Sequence, residues 1–232
     1  MNHEHIIKSY DEELTRLTGE IVRMGELAAY QLGAAMDVLD RRDTRAAERV
    51  IANDDAIDAL EGAISHDVLQ LLVRRQPMAR DLREVLAALR ISAAIERIGD
   101  YAANVAKRST ALNRHAPVPA AQDIRALATL AIELLQKVLV AYRDRDAEAA
   151  DMVRRRDAEL DTLHTQVFRE LLDDMARDPS TIPSCAHLLF IAKNIERIGD
   201  HATNIAENVW FLVHGEEPQE ARPKSDESSQ MA

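Results

Sequence analysis

Residues 91–107 read ISAAIERIGDYAANVAK, and residues 191–207 read IAKNIERIGDHATNIAE. At an offset of 100 positions, Glu96, Arg97, Ile98, Gly99, Asp100, Asn104 and Ala106 recur as Glu196, Arg197, Ile198, Gly199, Asp200, Asn204 and Ala206. A second echo lies upstream at an offset of 103, where Asp54-Asp55-Ala56-Ile57-Asp58-Ala59-Leu60 answers to Asp157-Ala158-Glu159-Leu160-Asp161-Thr162-Leu163. Both echoes follow a matching entry, Arg42-Asp43-Thr44 and Arg145-Asp146-Ala147. Solenoid repeats run at roughly 20–50 residues. A two-copy repeat about twice that long means that one domain-sized unit was duplicated, and both copies kept the same four acidic positions.

Outward from those motifs, the chain reads as helix throughout. Only 3% of its 232 residues are aromatic, and seven glycines and seven prolines leave little material for hairpin turns. Ala, Leu, Arg and Glu dominate, as in helical proteins. Six helices are expected. The first starts near Ser9, where Ser9 and Glu12 form a capping-box pattern, and carries Leu14, Leu17, Ile21, Met24, Ala28, Leu32, Ala35 and Leu39 at helical spacing to Asp40. Asp43 or Thr44 caps the second, which runs to Arg75 and stops at Gln76-Pro77, because proline lacks the amide a continuing helix needs. The third covers Ala79 to Asn113. Ala116-Pro117-Val118-Pro119 reads as the linker, so residues 1–114 and 115–214 form two domains. The second repeats the plan with Asp123 to Asp144, Asp146 to Arg177, a break at Asp178-Pro179-Ser180, and a last helix to His214-Gly215. Three long helices with short connections return antiparallel, so each half is an all-α three-helix bundle. Residues 215–232 have almost no apolar side chain and read as a disordered tail.

Charge narrows the partners. Forty acidic against 29 basic residues give −11, a sign that repels phosphate backbones and anionic lipid and favours cations and basic surfaces. Nucleic acid is not expected as a partner; the short basic clusters Arg41-Arg42, Arg74-Arg75 and Arg154-Arg155-Arg156 read as helix ends or solvated faces. The start of the chain becomes charged at once, without the apolar core of a signal peptide. The longest apolar stretch, Ala126 to Tyr142, is interrupted by Glu133, Gln136 and Lys137, so no membrane insertion is expected. Cys185 stands alone among apolar residues as a small core filler. These features point to a cytoplasmic protein.

Each half carries two carboxylate pairs at i, i+4: Asp54/Asp58 with Glu96/Asp100, and Asp157/Asp161 with Glu196/Asp200. That spacing sets both members on one helix face, one turn apart. On a helical wheel the Glu96/Asp100/Asn104 stripe lies well over 120° from Ile91, Ile95, Ile98, Ala102 and Val105. The carboxylates should therefore face a surface groove between helices. Like-charged pairs cost each helix ~0.2–0.5 kcal/mol, and cross pairs within about 5 Å add ~3 kcal/mol of repulsion at an effective dielectric of 20. A bound cation removes that cost. Oxygen donors suit Mg²⁺, Mn²⁺ or Fe³⁺, with Zn²⁺ where His164, the counterpart of Glu61, joins. Gly99 and Gly199, each inside a helix at ~1 kcal/mol against alanine, point to close approach by another helix. Arg97 and Arg197 read as ion-paired or solvated, or as holding outer carboxylates, and Asn104 and Asn204 as face polar residues, ligands or outer donors.

The two ERIGD helices, each preceded by a D-x-x-x-D helix, resemble the PhoU family of phosphate-signalling proteins over residues 5–213. Gln76-Pro77-x-Ala79-Arg80-Asp81-Leu82-Arg83 adds to the match. The resemblance implies tandem three-helix bundles related by pseudo-two-fold symmetry, a homodimer, and multinuclear metal sites at the paired motifs. It also implies a non-enzymatic cytoplasmic adaptor. Such an adaptor couples the phosphate ABC transporter, through its ATPase, to the membrane histidine kinase, and restrains both the starvation response and phosphate uptake. The Glu61/His164 asymmetry leaves open whether both sites take the same metal.

Two other readings compete. A carboxylate-bridged di-iron oxidase wants paired Glu-x-x-His signatures, whereas the chain offers only Asp161-x-x-His164. A metal-free helical scaffold stays open, because adaptor work does not require ions. A phosphotransfer bundle would need an exposed histidine among basic neighbours, which neither His66 nor His164 has.

Overall fold

The computed structural model describes the backbone of residues 2–118 and 121–218, and the side chains of 10–118 and 123–218. The expected tail lies almost wholly outside the described residues. The helices are α1 (Asn2–Arg41), α2 (Thr44–Ala52), α3 (Asp54–Arg75), α4 (Arg80–Leu112), α5 (Ala121–Asp144), α6 (Ala147–Arg177) and α7 (Ile182–His214), with a 3₁₀ turn at Pro179–Thr181 before the last. No strand occurs among the described residues, and none of their helices is long and apolar enough to cross a membrane.

Helix ends follow local chemistry. Arg42 and Arg145 both take the left-handed conformation at φ 55°, ending α1 and α5 alike. Asp43 and Asp146 then accept from the amides of Ala46 and Ala149 at 3.0 and 2.9 Å, caps worth ~1 kcal/mol each. Gly215 closes α7 at φ 83°, with its amide on the Phe211 carbonyl at 2.8 Å.

Two expectations need correction. Helix α1 starts at Asn2, so Ser9 lies within the helix and not at its start. The second expected helix is two, broken at Asn53. Its amide still reaches the Arg49 carbonyl, but its own carbonyl takes the Ala56 amide three residues on. Asn53-Asp54-Asp55 is a helix-start composition, with two acids that suit a positive N-terminus. At the matching position of α6 stands Arg156, which binds Glu159 and Glu133, and that helix runs unbroken.

The stripe foreseen for α1 is buried from Leu14 to Leu39, and Ile91, Ile95, Ile98, Ala102 and Val105 of α4 are inaccessible. Cys185 is likewise in the core. Within the halves, α1 and α3 flank α4, and α5 and α6 flank α7. Helix against helix, the halves meet through α4 on α7 and α1 on α5. Each of these four helices packs on its own duplicate, as elements beside a two-fold axis do. Tyr101 and His201, equivalent residues, meet there with ring centroids 5.7 Å apart. They are therefore interface residues, although they differ between the copies. One continuous apolar core runs through both halves.

Candidate functional site

The paired motifs meet where α3 crosses α4 and where α6 crosses α7. Both glycines open these crossings. A Cβ on Gly99 would stand 2.9 Å from Ile57 Cδ1 and 3.1 Å from Asp54 Oδ1. On Gly199 it would stand 2.1 Å from Leu160 Cδ2 and 3.0 Å from Asp157 Oδ1. The bare backbone lets the first carboxylate of each D-x-x-x-D motif lie directly on the ERIGD helix.

In the first half the acids share one electric field. Asp54, Glu61, Glu96 and Asp100 are half-buried and Asp58 is exposed. Burial pushes the Asp54 carboxyl up; a hydrogen bond from Gln31 resists this, and the charges of Asp58 and Asp100 reinforce it. Glu96 is raised by burial, then by Asp100, against the pull of Arg97. Arg97 lies 3.0 Å from Asp100 and 3.4 Å from Glu96, an exposed counter-charge to both. Gln31, buried on α1, donates to Asp54 Oδ1 at 3.0 Å and to the Gly99 carbonyl at 3.3 Å. Sequence reasoning missed Gln31; its signal is a lone amide beside the apolar stripe at Ala28 and Leu32. Glu61 accepts from Ser65 at 2.6 Å.

The second half corrects the expectation of surface carboxylates. Asp157, Asp161, His164 and Glu196 are all buried, and Asp200 is half-buried. The counterpart crossing is more open, with Asp54, Glu96 and Asp100 half-buried and Asp58 exposed. Lys193, also missed, reaches Glu196 at 2.9 Å from one turn away. At its equivalent position stands Ala93, and Leu134 stands where the first half has Gln31. His164 packs near Phe168, ring centroids 6.4 Å apart. Arg197 lies over the Tyr101 ring at 5.6 Å, Asn104 is half-buried and Asn204 exposed. Of the basic clusters, Arg154 is buried against Asp151 at 2.8 Å, not solvated.

The donor chemistry fits a hard cation: carboxylates from two crossing helices in each half, with imidazole added in the second. Among the described residues, no three such groups converge into a ready coordination shell. The raised acids have a measurable consequence. Because Asp54 and Glu96 hold protons more tightly folded than unfolded, they add stability that is full below their ordinary values of 3.8 and 4.5 and is lost as pH rises through the raised ones. Urea melts of the metal-free protein between about pH 4 and pH 7 should therefore show Asp54→Asn/Glu96→Gln gaining on the parent as pH rises. Parallel profiles would rule out the shared field.

Comparison with known proteins follows the same duplication. The PhoU domain family matches twice, at residues 21–109 and 124–209. A phosphate-specific transport system accessory protein PhoU homolog of Xylella fastidiosa strain 9a5c is 58% identical, over 98% of this chain and 96% of its own length. The homolog of Rhizobium meliloti strain 1021 is 44% identical over 100% of this chain and 98% of its own. Crystal structures of PhoU from Pseudomonas aeruginosa and of the phosphate transport system regulatory protein PhoU from Streptococcus pneumoniae superpose with TM-scores of 0.85 and 0.83. They are 32% and 26% identical, covering 89% and 90% of this chain and 100% and 99% of theirs.

Proposed function

The chain belongs to the PhoU family, and from that premise we propose that it is the accessory protein of a phosphate-specific transport system. The full-length likeness to relatives bearing that name carries the reading. In this role it is a non-enzymatic, cytoplasmic, homodimeric adaptor. One docking surface meets the ATPase of the phosphate ABC transporter and another the phosphate-sensing histidine kinase. Through them it restrains the starvation response and phosphate uptake. Its net charge of −11 favours docking on basic faces, so association should weaken with salt.

Metal binding belongs to the same proposal. Asp54, Asp58, Glu96 and Asp100 would hold an ion in one half, and Asp157, Asp161, Glu196 and Asp200 in the other. Mg²⁺, Mn²⁺ or Fe³⁺ suits all-carboxylate sites, and Zn²⁺ one that His164 joins. An ion there would supply the positive charge that Arg97 and Lys193 now provide only at the edge, and would cross-link the two helices of each site.

One experiment tests both parts. A tagged chain, purified from phosphate-replete cells without added ions, is assayed for metal content and for co-purifying transporter and kinase components. A starvation-gene reporter is read alongside in a deletion strain. Derepression by at least tenfold, corresponding to ~1.4 kcal/mol or more in regulatory equilibrium, is expected, and the intact chain should reverse it. A silent reporter with no co-purifying partner refutes the adaptor. A chain free of metal, with Asp100→Asn/Asp200→Asn complementing fully, refutes the ions alone.

A further inference from the structure

On a molecule of charge −11, one cavity has a basic wall. It encloses about 340 Å³ between Arg80, Arg83 and Arg145, with Leu212 and Val213 as its apolar side. Arg80 and Arg83 stand three residues apart at the start of α4 in the first half, on one helix face. Arg145 comes from the α5–α6 turn, and Leu212 and Val213 from the end of α7, both in the second half. The cavity therefore straddles the junction between the halves.

Its charges are unevenly matched. Arg145 pairs with buried Glu84. Neither Arg80 nor Arg83 forms an ion pair with a described residue, although Glu84 feels the charge of Arg80. Arg83 Nε is buried and has no hydrogen-bond acceptor. Asp81 is a further acid near this turn, its charge reaching Glu84 and, with that of Glu13, Tyr10. The start of α4 has no side-chain cap, so its positive end adds to the same field.

The duplication supplies an internal control. Arg42 is the counterpart of Arg145, with the same φ of 55°, yet it donates to the carbonyls of Leu112 and His115 around the end of α4. Positions equivalent to Arg80 and Arg83 hold Ser180 and Pro183. A junction of this shape closes without the arginines.

We infer that this cavity binds a phosphoryl oxyanion, either inorganic phosphate or the phosphate of a small monoester. Guanidinium forks match tetrahedral oxyanions bidentately, and the volume lies within the range of small-molecule sites. Leu212 and Val213 would meet the organic part of an ester. A bound anion would tie the start of α4 to the α5–α6 turn, and so one half to the other. The site does not depend on the adaptor reading, and its test uses only the purified full chain.

Calorimetric titrations with inorganic phosphate and, separately, with adenosine monophosphate are run at constant ionic strength. One site per chain is expected for at least one of them, and the arm that binds more tightly names the source. Arg80→Gln/Arg83→Gln, which leaves the Arg145–Glu84 pair intact, should weaken binding by at least about tenfold. Arg83→Lys keeps the charge but loses the fork, and should weaken it several-fold. That second variant decides the matter if the double one does not fold. Binding by neither anion below about 10 mM, unchanged affinity in a folded variant, or capture of an acidic peptide when both phosphates fail would each overturn the assignment.

Discussion

Ile198→Ala is expected to lower the unfolding free energy by about 2–5 kcal/mol. The side chain has no accessible surface, and it sits on α7, which packs against α4, α5 and α6 at once. Removing its branch takes away transfer energy and leaves a void that three neighbouring helices cannot all close. At a urea slope of about 2.5 kcal/mol/M, in the upper part of the usual range because the slope grows with chain size, the midpoint should fall by about 1–2 M. Glu96→Gln, two residues off the equivalent Ile98, provides the contrast. Its carboxyl is raised by burial and by Asp100, so in the absence of metal the change should be neutral or stabilising. If Ile198→Ala melted beside the parent while Glu96→Gln collapsed, the helix phase read from ERIGD would be wrong.

That phase was legible because a 3.6-residue period needs only one strand of text. Ile98 and Ile198 could be placed in the core, and Gly99 and Gly199 at close crossings, from spacing and repetition alone. Burial of the acids was not legible in the same way. A helical wheel puts Glu196 opposite the apolar stripe and assumes that the opposite side is water, but α7 is covered on several sides. Glu196 is inside, and so are Asp157 and Asp161 on α6. The break at Asn53 escaped for a related reason: one asparagine before two aspartates starts a helix as readily as it continues one, and packing against α4 decides. Gln31 acts from a different helix, so no local spacing marked it, whereas Lys193 stands at i, i+3 from Glu196 and that spacing could have found it. Duplication revealed the site's members; only the crossing of helices revealed their surroundings.

Arg145→Ala should be the second large effect, about 2–4 kcal/mol at neutral pH. Deleting one partner of a buried ion pair ordinarily costs ~3–5 kcal/mol, because the other charge is left inside. Glu84 is that other charge, its side chain 6% exposed. Arg145 itself is 40% exposed, so water screens part of the attraction and the expected cost is set below the usual range. The pH dependence gives the mechanism away. Burial already raises the Glu84 carboxyl, and Arg145 is the largest influence holding it down. Without that guanidinium the folded group binds its proton more tightly still, while the unfolded one keeps its ordinary 4.5. The protonated form then supports folding below that value, and the support is lost as pH rises through the raised one. The penalty of Arg145→Ala should therefore be largest near neutrality and shrink as pH falls. Adding Glu84→Gln should recover most of it, since a neutral amide leaves no buried charge behind. A penalty that ignores pH and survives Glu84→Gln would place the cost in the lost packing of the Arg145 stem instead. Arginine and alanine share the left-handed strain at φ 55°, so it cancels, and the stranded Glu84 is what the change exposes. For the same reason the anion site must be tested at Arg80 and Arg83, whose removal leaves Glu84 paired.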